Sequence, residues 1–66
     1  MRVTVKGEPR EAASGATLLE LVRETGTDPG RVAVAVNGTV VPRAELASRR
    51  PAAGDAIEII EPVGGG

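Results

Sequence analysis

The 66-residue sequence contains no cysteine, no histidine and no aromatic residue. Each absence closes a route. Without cysteine there is no disulfide staple, no thiolate nucleophile and no sulfur-ligated metal. Without histidine, the commonest general base and the commonest metal ligand are both missing. Without aromatics, nucleobases have no side-chain platform on which to stack. Excess charge of one sign is missing too. Eight Lys and Arg against nine Asp and Glu leave a net charge of −1, with both signs scattered. That is not the footprint of a nucleic-acid binder. No apolar run approaches the roughly 20 residues that span a membrane. The opening "MRVTVKGEP" lacks the apolar stretch of a secretory signal. The expectation is a cytoplasmic domain with no nucleic-acid or membrane partner, no bound metal or cofactor, and no catalytic residue of its own.

What remains is short and aliphatic. The length allows one domain, residues 1–66. At this size folding hides only about 60% of the surface of the unfolded chain, so the core is marginal. In "MRVTVKG", Met1, Val3 and Val5 alternate with Arg2, Thr4 and Lys6, the period-2 pattern of a half-buried strand. Gly7 and Glu8 suit a hairpin turn, and a weak second strand is expected near Arg10 to Ala13. In "SGATLLELVRETG", Thr17 can cap a helix, with Glu20 at capping-box spacing. Leu18, Leu21, Val22 and Thr25 share one face, Glu20, Arg23 and Glu24 point to water, and Gly26 is the stop. "TDPG" reads as a turn or a piece of tight helix. "RVAVAVNG" is a third strand that puts Val32, Val34 and Val36 on one face and Ala33 and Ala35 on the other. Asn37-Gly38 is a strong hairpin signal, because both central positions of a type I′ turn take positive φ. "TVVP" is a fourth strand ended by Pro42. A single helical turn is expected around Ala44–Ala47 with Leu46 inward. "AIEIIE" is the last strand, with Ile57 and Ile59 on one face and Glu58 and Ile60 on the other.

One helix and five strands in the order β-β-α-β-β-(short helix)-β make an α+β domain. The arrangement that satisfies them is a β-grasp, a mixed five-stranded sheet covered on one face by the helix. The last strand then lies parallel beside the first, both in central positions. The expected core is Val3, Val5, Leu18, Leu21, Val22, Val34, Val36, Leu46, Ile57 and Ile59. The far face carries Arg2, Thr4, Ala33, Ala35, Glu58 and Ile60. Ala33, Ala35 and Ile60 form a partly apolar patch near the last strand's end, the expected partner-docking surface.

The sequence closes on "EPVGGG". No Ser-His-Asp set, Cys-His pair or metal cluster is present, and Glu58 and Glu61 fall on opposite faces of the last strand. Arg49-Arg50 reads as solvated surface. The remaining group is the α-carboxylate of Gly66, which becomes electrophilic if another protein adenylates it. Residues 62–66 are expected to be a flexible tail. Five extended residues reach roughly 16 Å, and glycines pass a narrow channel without side chains.

Over its whole length the chain resembles the ThiS family, the ubiquitin-like sulfur carriers of thiamine biosynthesis. The resemblance is carried by "GATLLELV", "VAVAVNGTVVPRAEL", "GDAIEII" and the terminal "VGGG". It implies that an E1-like, ThiF-type adenylyltransferase activates Gly66 with ATP. It implies that sulfur from a cysteine desulfurase or another donor converts the terminus to a thiocarboxylate, and that thiazole synthase accepts that sulfur. Val63, Gly64 and Gly65 would enter the partners' active sites. Leu46 stands where many members have a bulky aromatic. Pro62-Val63 is similar to the tails of molybdopterin-synthesis carriers, so a MoaD-like carrier is one alternative. A ubiquitin-like protein modifier and a plain β-grasp binding module are others.

Overall fold

Two tight hairpins frame the sheet. In each, two residues with positive φ link the strands: Lys6 at 55° with Gly7 at 82°, and Asn37 at 51° with Gly38 at 86°. This backbone twist matches that of the strands it joins. The computed structural model describes residues 1–61; the expected tail, 62–66, lies outside the described residues. Five strands are present, β1 (Arg2–Val5), β2 (Glu8–Glu11), β3 (Ala33–Val36), β4 (Thr39–Val41) and β5 (Ala56–Ile60), with one α-helix, α1 (Leu18–Glu24). Short 3-10 turns occupy Pro29–Arg31 and Arg43–Glu45.

The first hairpin differs from its expectation. The turn is Lys6-Gly7, one residue earlier than Gly7-Glu8, and the second strand is Glu8–Glu11 rather than Arg10–Ala13. Lysine seldom takes the left-handed conformation, so local chemistry did not mark it as a turn residue. Pairing Val5 with Glu8 requires it there. Pro9 sits on β2, an edge strand, where a missing N–H costs little.

The strand order is β2-β1-β5-β3-β4. β1 and β5 run parallel and the other pairs antiparallel. With one helix against the sheet, this is the expected ubiquitin-like β-grasp, and β1 and β5 are both interior strands.

Local chemistry shapes α1. Thr17 Oγ1 accepts the Glu20 N–H at 3.2 Å, and Glu20 Oε1 accepts the Thr17 N–H at 2.8 Å, closing a capping box. The Glu20 carboxyl is held below its ordinary pKa first by the Thr17 backbone N–H and next by the Thr17 hydroxyl, which donates to Glu20 Oε1 at 3.1 Å. The 43–50 segment completes the cap. Leu46 O accepts the Leu19 N–H at 3.0 Å, and Arg49 O accepts the Leu18 N–H at 2.9 Å. Two donors that a helix start leaves unpaired are thereby satisfied. Leu18, Leu21 and Val22 face the sheet, and a helix of two turns depends on that contact for its stability.

Every residue expected in the core is buried there, and Ala12, Val32 and Val41 join them. Leu46 packs inward from the start of its loop, although the 3-10 turn covers Arg43–Glu45 rather than Ala44–Ala47. Asn37 ties the second hairpin to β5. Its Nδ2 donates to Asp55 Oδ1 at 3.0 Å, and its Oδ1 accepts the Ala56 N–H at 2.9 Å. Asp55 Oδ2 in turn accepts the Ala52 N–H at 2.8 Å.

Candidate functional site

The end of β5 anchors the site, because the expected reactive tail follows it. Ile57 and Ile59 turn to the helix and are buried, so Ile60 must turn away, and it is 49% exposed. Cross-strand pairing then selects its neighbours. Ala33 lies opposite Ile60, Ala35 opposite Glu58, and Val40 opposite Ala35. Directly paired residues on one face stand about 5 Å apart at their Cβ atoms. Ala33, Ala35, Val40 and Ile60 therefore form one band across three strands on the uncovered face.

Their accessibility is unequal. Ala33 is exposed, but Ala35 is only 3% exposed. Its single methyl sits between the longer side chains of Val40 and Glu58 on the flanking strands. Ala35 therefore forms the floor of the band and offers a partner almost no surface, a correction to its expected place beside Ala33 and Ile60. Val40, at 60% exposure, supplies the missing apolar surface. Sequence reasoning placed Val40 on no face. The signal was available: a two-residue Asn37-Gly38 turn pairs Val36 with Thr39, which sets Val40 opposite Ala35.

At the tail end of this band is a hollow of about 360 Å³ lined by Arg31, Val32, Ala33, Arg43 and Ile60. A second, of about 330 Å³, lies beside Glu61 and is lined also by Gly26, Thr27, Asp28, Arg31 and Val32. Neither holds a nucleophile paired with a base. Another hollow, of about 420 Å³, lies between the first hairpin and the end of α1, where Arg10 Nη2 donates to Glu24 O at 3.2 Å. It is lined by Val5, Lys6, Glu8, Pro9, Arg10, Glu24, Thr25 and Thr27, which include no nucleophile–base pair. Among the described residues, no group of three acidic side chains is placed to hold a metal ion. No helix among them is long and apolar enough to cross a membrane. Val63, Gly64, Gly65 and Gly66 lie outside the described residues.

Comparison with known proteins gives this geometry a context. A family model described as the ThiS family matches residues 3–66. A curated relative from Paramagnetospirillum magneticum, named thiazole synthase, is 35% identical over 66 residues, which cover 100% of this chain and 20% of that protein. The chain thus spans about a fifth of the length of that relative. The crystal structure of a thiamine biosynthesis protein (ThiS) from Geobacter metallireducens superposes with a TM-score of 0.78 at 31% identity, covering 100% of both chains. An NMR solution structure of a thiamine biosynthesis protein from the same organism gives 0.75 at 31% identity, covering 100% of this chain and 88% of the other.

Proposed function

This chain belongs to the ThiS family, and on that premise we propose that it is a sulfur carrier of thiamine synthesis whose Gly66 carboxylate holds the sulfur. The observation that carries the reading is the family match, which runs through Gly66. Members of this family are small carrier proteins rather than enzymes.

The chemistry follows from the carboxylate. As an anion it is a poor electrophile, and its oxygen is a poor leaving group. An E1-like, ThiF-type adenylyltransferase overcomes both obstacles with ATP. A carboxylate oxygen attacks the α-phosphorus, pyrophosphate leaves, and an acyl adenylate forms at Gly66. The terminal sulfur of a persulfide, supplied by a cysteine desulfurase or another donor, then attacks the carbonyl, and AMP departs. A thiol cleaves the resulting acyl disulfide and leaves a thiocarboxylate. Thiazole synthase is the acceptor in this reading, which the thiazole synthase relative supports. Val63, Gly64 and Gly65 serve as the narrow lead that enters each partner. Ala33, Val40 and Ile60, with Ala35 beneath them, are the surface on which the partner rests.

The test is the terminus itself. With ATP, the adenylyltransferase and a sulfur donor, intact mass should show one oxygen of the protein exchanged for sulfur. Deleting Gly66 shortens the reach by about 3.3 Å, and a misplacement of about 1 Å can cost on the order of a hundredfold in rate. The deletion should abolish or severely slow activation while the melting temperature stays within a degree or so of the parent's. A histidine tag after Gly66 should act likewise by turning the carboxylate into a peptide bond. If the deleted or tagged protein supports thiazole formation at the normal rate, the carrier reading falls. Isopeptide-linked ladders in a lysate immunoblot would instead point to a protein modifier.

A further inference from the structure

Asn37 is the single asparagine of the chain, and there is no glutamine, so its side chain is the only carboxamide the protein carries. It stands before Gly38 at the tip of the second hairpin, with both residues exposed and both at positive φ, 51° and 86°. An asparagine followed by glycine is among the least durable pairs in a polypeptide. The Gly38 nitrogen can attack Cγ of Asn37, and glycine has no Cβ to crowd the approach. Water reaches this turn, so burial gives the amide no protection.

Geometry does. Asn37 Nδ2 donates to Asp55 Oδ1 at 3.0 Å, its Oδ1 accepts the Ala56 N–H at 2.9 Å, and its backbone N–H donates to Ala56 O at 2.8 Å. Asp55 is anchored in turn. Its Oδ2 accepts the Ala52 N–H at 2.8 Å, and its backbone O accepts the Thr4 N–H from β1 at 3.0 Å. For Cγ to swing onto the Gly38 nitrogen, the amide must release Asp55 and the Ala56 N–H together.

We propose that Asn37 is a modification site, an amide kept unreactive by Asp55 and Ala56 that converts irreversibly to aspartate or isoaspartate when this contact opens. The Gly38 nitrogen loses its proton and bonds to Cγ, Nδ2 leaves as ammonia, and a five-membered succinimide forms. Water then adds to one ring carbonyl or the other and opens the ring to aspartate or isoaspartate. Neither step involves Gly66, a partner protein or an oxidant. The product cannot restore the contact. Aspartate sets a second carboxylate where Nδ2 met Asp55 Oδ1, an acceptor and a like charge in place of a donor. Isoaspartate adds a methylene to the main chain of a two-residue turn, which the register of β3 with β4 does not accommodate. Each conversion therefore loosens the hairpin that carries Ala33 and Val40 from the start of β5.

With no other carboxamide present, the intact mass of the full chain reads this site alone, as a gain of about 1 Da, and peptide mapping separates the two products. At slightly alkaline pH, the chain unfolded in urea should convert at least about tenfold faster than the folded parent. Asp55→Ala removes a charged acceptor, and its folded form should convert about tenfold faster than the parent. Thr17→Ala weakens the cap of α1 without touching the hairpin and should change the rate far less. A thermal melt checks that each variant is folded. If Asp55→Ala does not melt cooperatively, Asp55→Ser takes its place, since one hydroxyl oxygen cannot sit at both the Ala52 and the Asn37 positions. The proposal is overturned if the folded parent converts as fast as the unfolded chain, or if the folded Asp55 variant converts at the parent rate. It is also overturned if Thr17→Ala speeds conversion as much as the Asp55 variant does for the same fall in melting temperature, because conversion would then follow global unfolding and not the Asn37–Asp55 contact.

Discussion

Ile59 and Ile60 are adjacent in sequence and opposite in fate. Ile59 is 8% exposed beneath the helix, and Ile60 is 49% exposed on the bare face of the sheet. Val40 and Val41 repeat the contrast across the sheet, one exposed and the other buried. The covered face is aliphatic and closed, built from Val3, Val5, Val34, Val36, Val41, Ile57 and Ile59. The bare face mixes Arg2, Thr4 and Glu58 with the apolar band of Ala33, Val40 and Ile60. Identical side chains thus hold the fold together on one face and remain available for contact on the other. Hydrophobicity alone does not separate the two uses. The pleat does, because consecutive side chains on a strand point to opposite faces.

The strongest way to break this comparison is to put a carboxylate on each face in turn. Ile59→Glu forces a charge against an aliphatic core, or expels the strand. In a domain whose total stability is on the order of 5 kcal/mol, the expected outcome is loss of the cooperative melt seen by circular dichroism. Ile60→Glu should keep the melt within about 0.5 kcal/mol of the parent while weakening capture by the proposed partner, an activating adenylyltransferase, in calorimetry. Greater damage from Ile60→Glu than from Ile59→Glu would mean that β5 sits one residue away from this register.

A smaller effect is expected at Asn37, which sharpens the comparison by loosening the turn that decides it. Asn37→Ala removes the bonds to Asp55 and the Ala56 N–H, and places alanine at a φ of 51°. A cost of about 1–3 kcal/mol is expected in denaturant titration. If the turn sets which valine faces out, cross-strand NMR contacts between Ala35 and Val40 should weaken in this variant. Full retention of both stability and contacts would show that packing alone sets the register.

The smallest effect is in pH. The Asp55 carboxyl is held below its ordinary pKa, first by the Ala52 N–H and next by Asn37. Glu11 is lowered in the same direction by the N-terminal amine, and Glu20 by its cap. A carboxyl lowered on folding binds fewer protons in the native state than in the unfolded one. Its contribution is therefore complete above the unfolded value, about pH 4, and is lost as pH falls through the folded value. Asp55→Asn should make the stability curve flatter below about pH 4 without changing which amides of β5 are protected in hydrogen exchange. A curve as steep as the parent's would assign the acid sensitivity elsewhere.

How far the fold could be read from the residues depended on how far apart the causes lay. The Thr17–Glu20 cap, the buried stripe of α1 and the Asn37-Gly38 turn each arise within a few residues and were legible. The first hairpin was shifted by one residue, since Lys6 adopts a turn conformation that its side chain does not advertise. Ala35 was assigned to the right face, yet its accessibility depends on the height of Val40 and Glu58, which come from other strands. Arg31 and Arg43 meet at one hollow only through the pairing of β3 with β4 and β5.

By itself, the amino-acid sequence determined the short-range features of this protein. These are the alternation that gives each strand two unlike faces, the capped amphipathic helix, the second hairpin, and an entirely aliphatic core. Helix caps, side-chain periods and turn φ values are set by neighbours along the chain. Only the tertiary structure decided which strands lie side by side, that Val40 completes the apolar band while Ala35 sinks beneath it, and that two arginines twelve positions apart flank the root of β5's exit. Those outcomes depend on β-pairing between distant segments. The pairing is chosen by burying all the core faces under one helix at once, a condition on the whole chain that no single stretch of it contains.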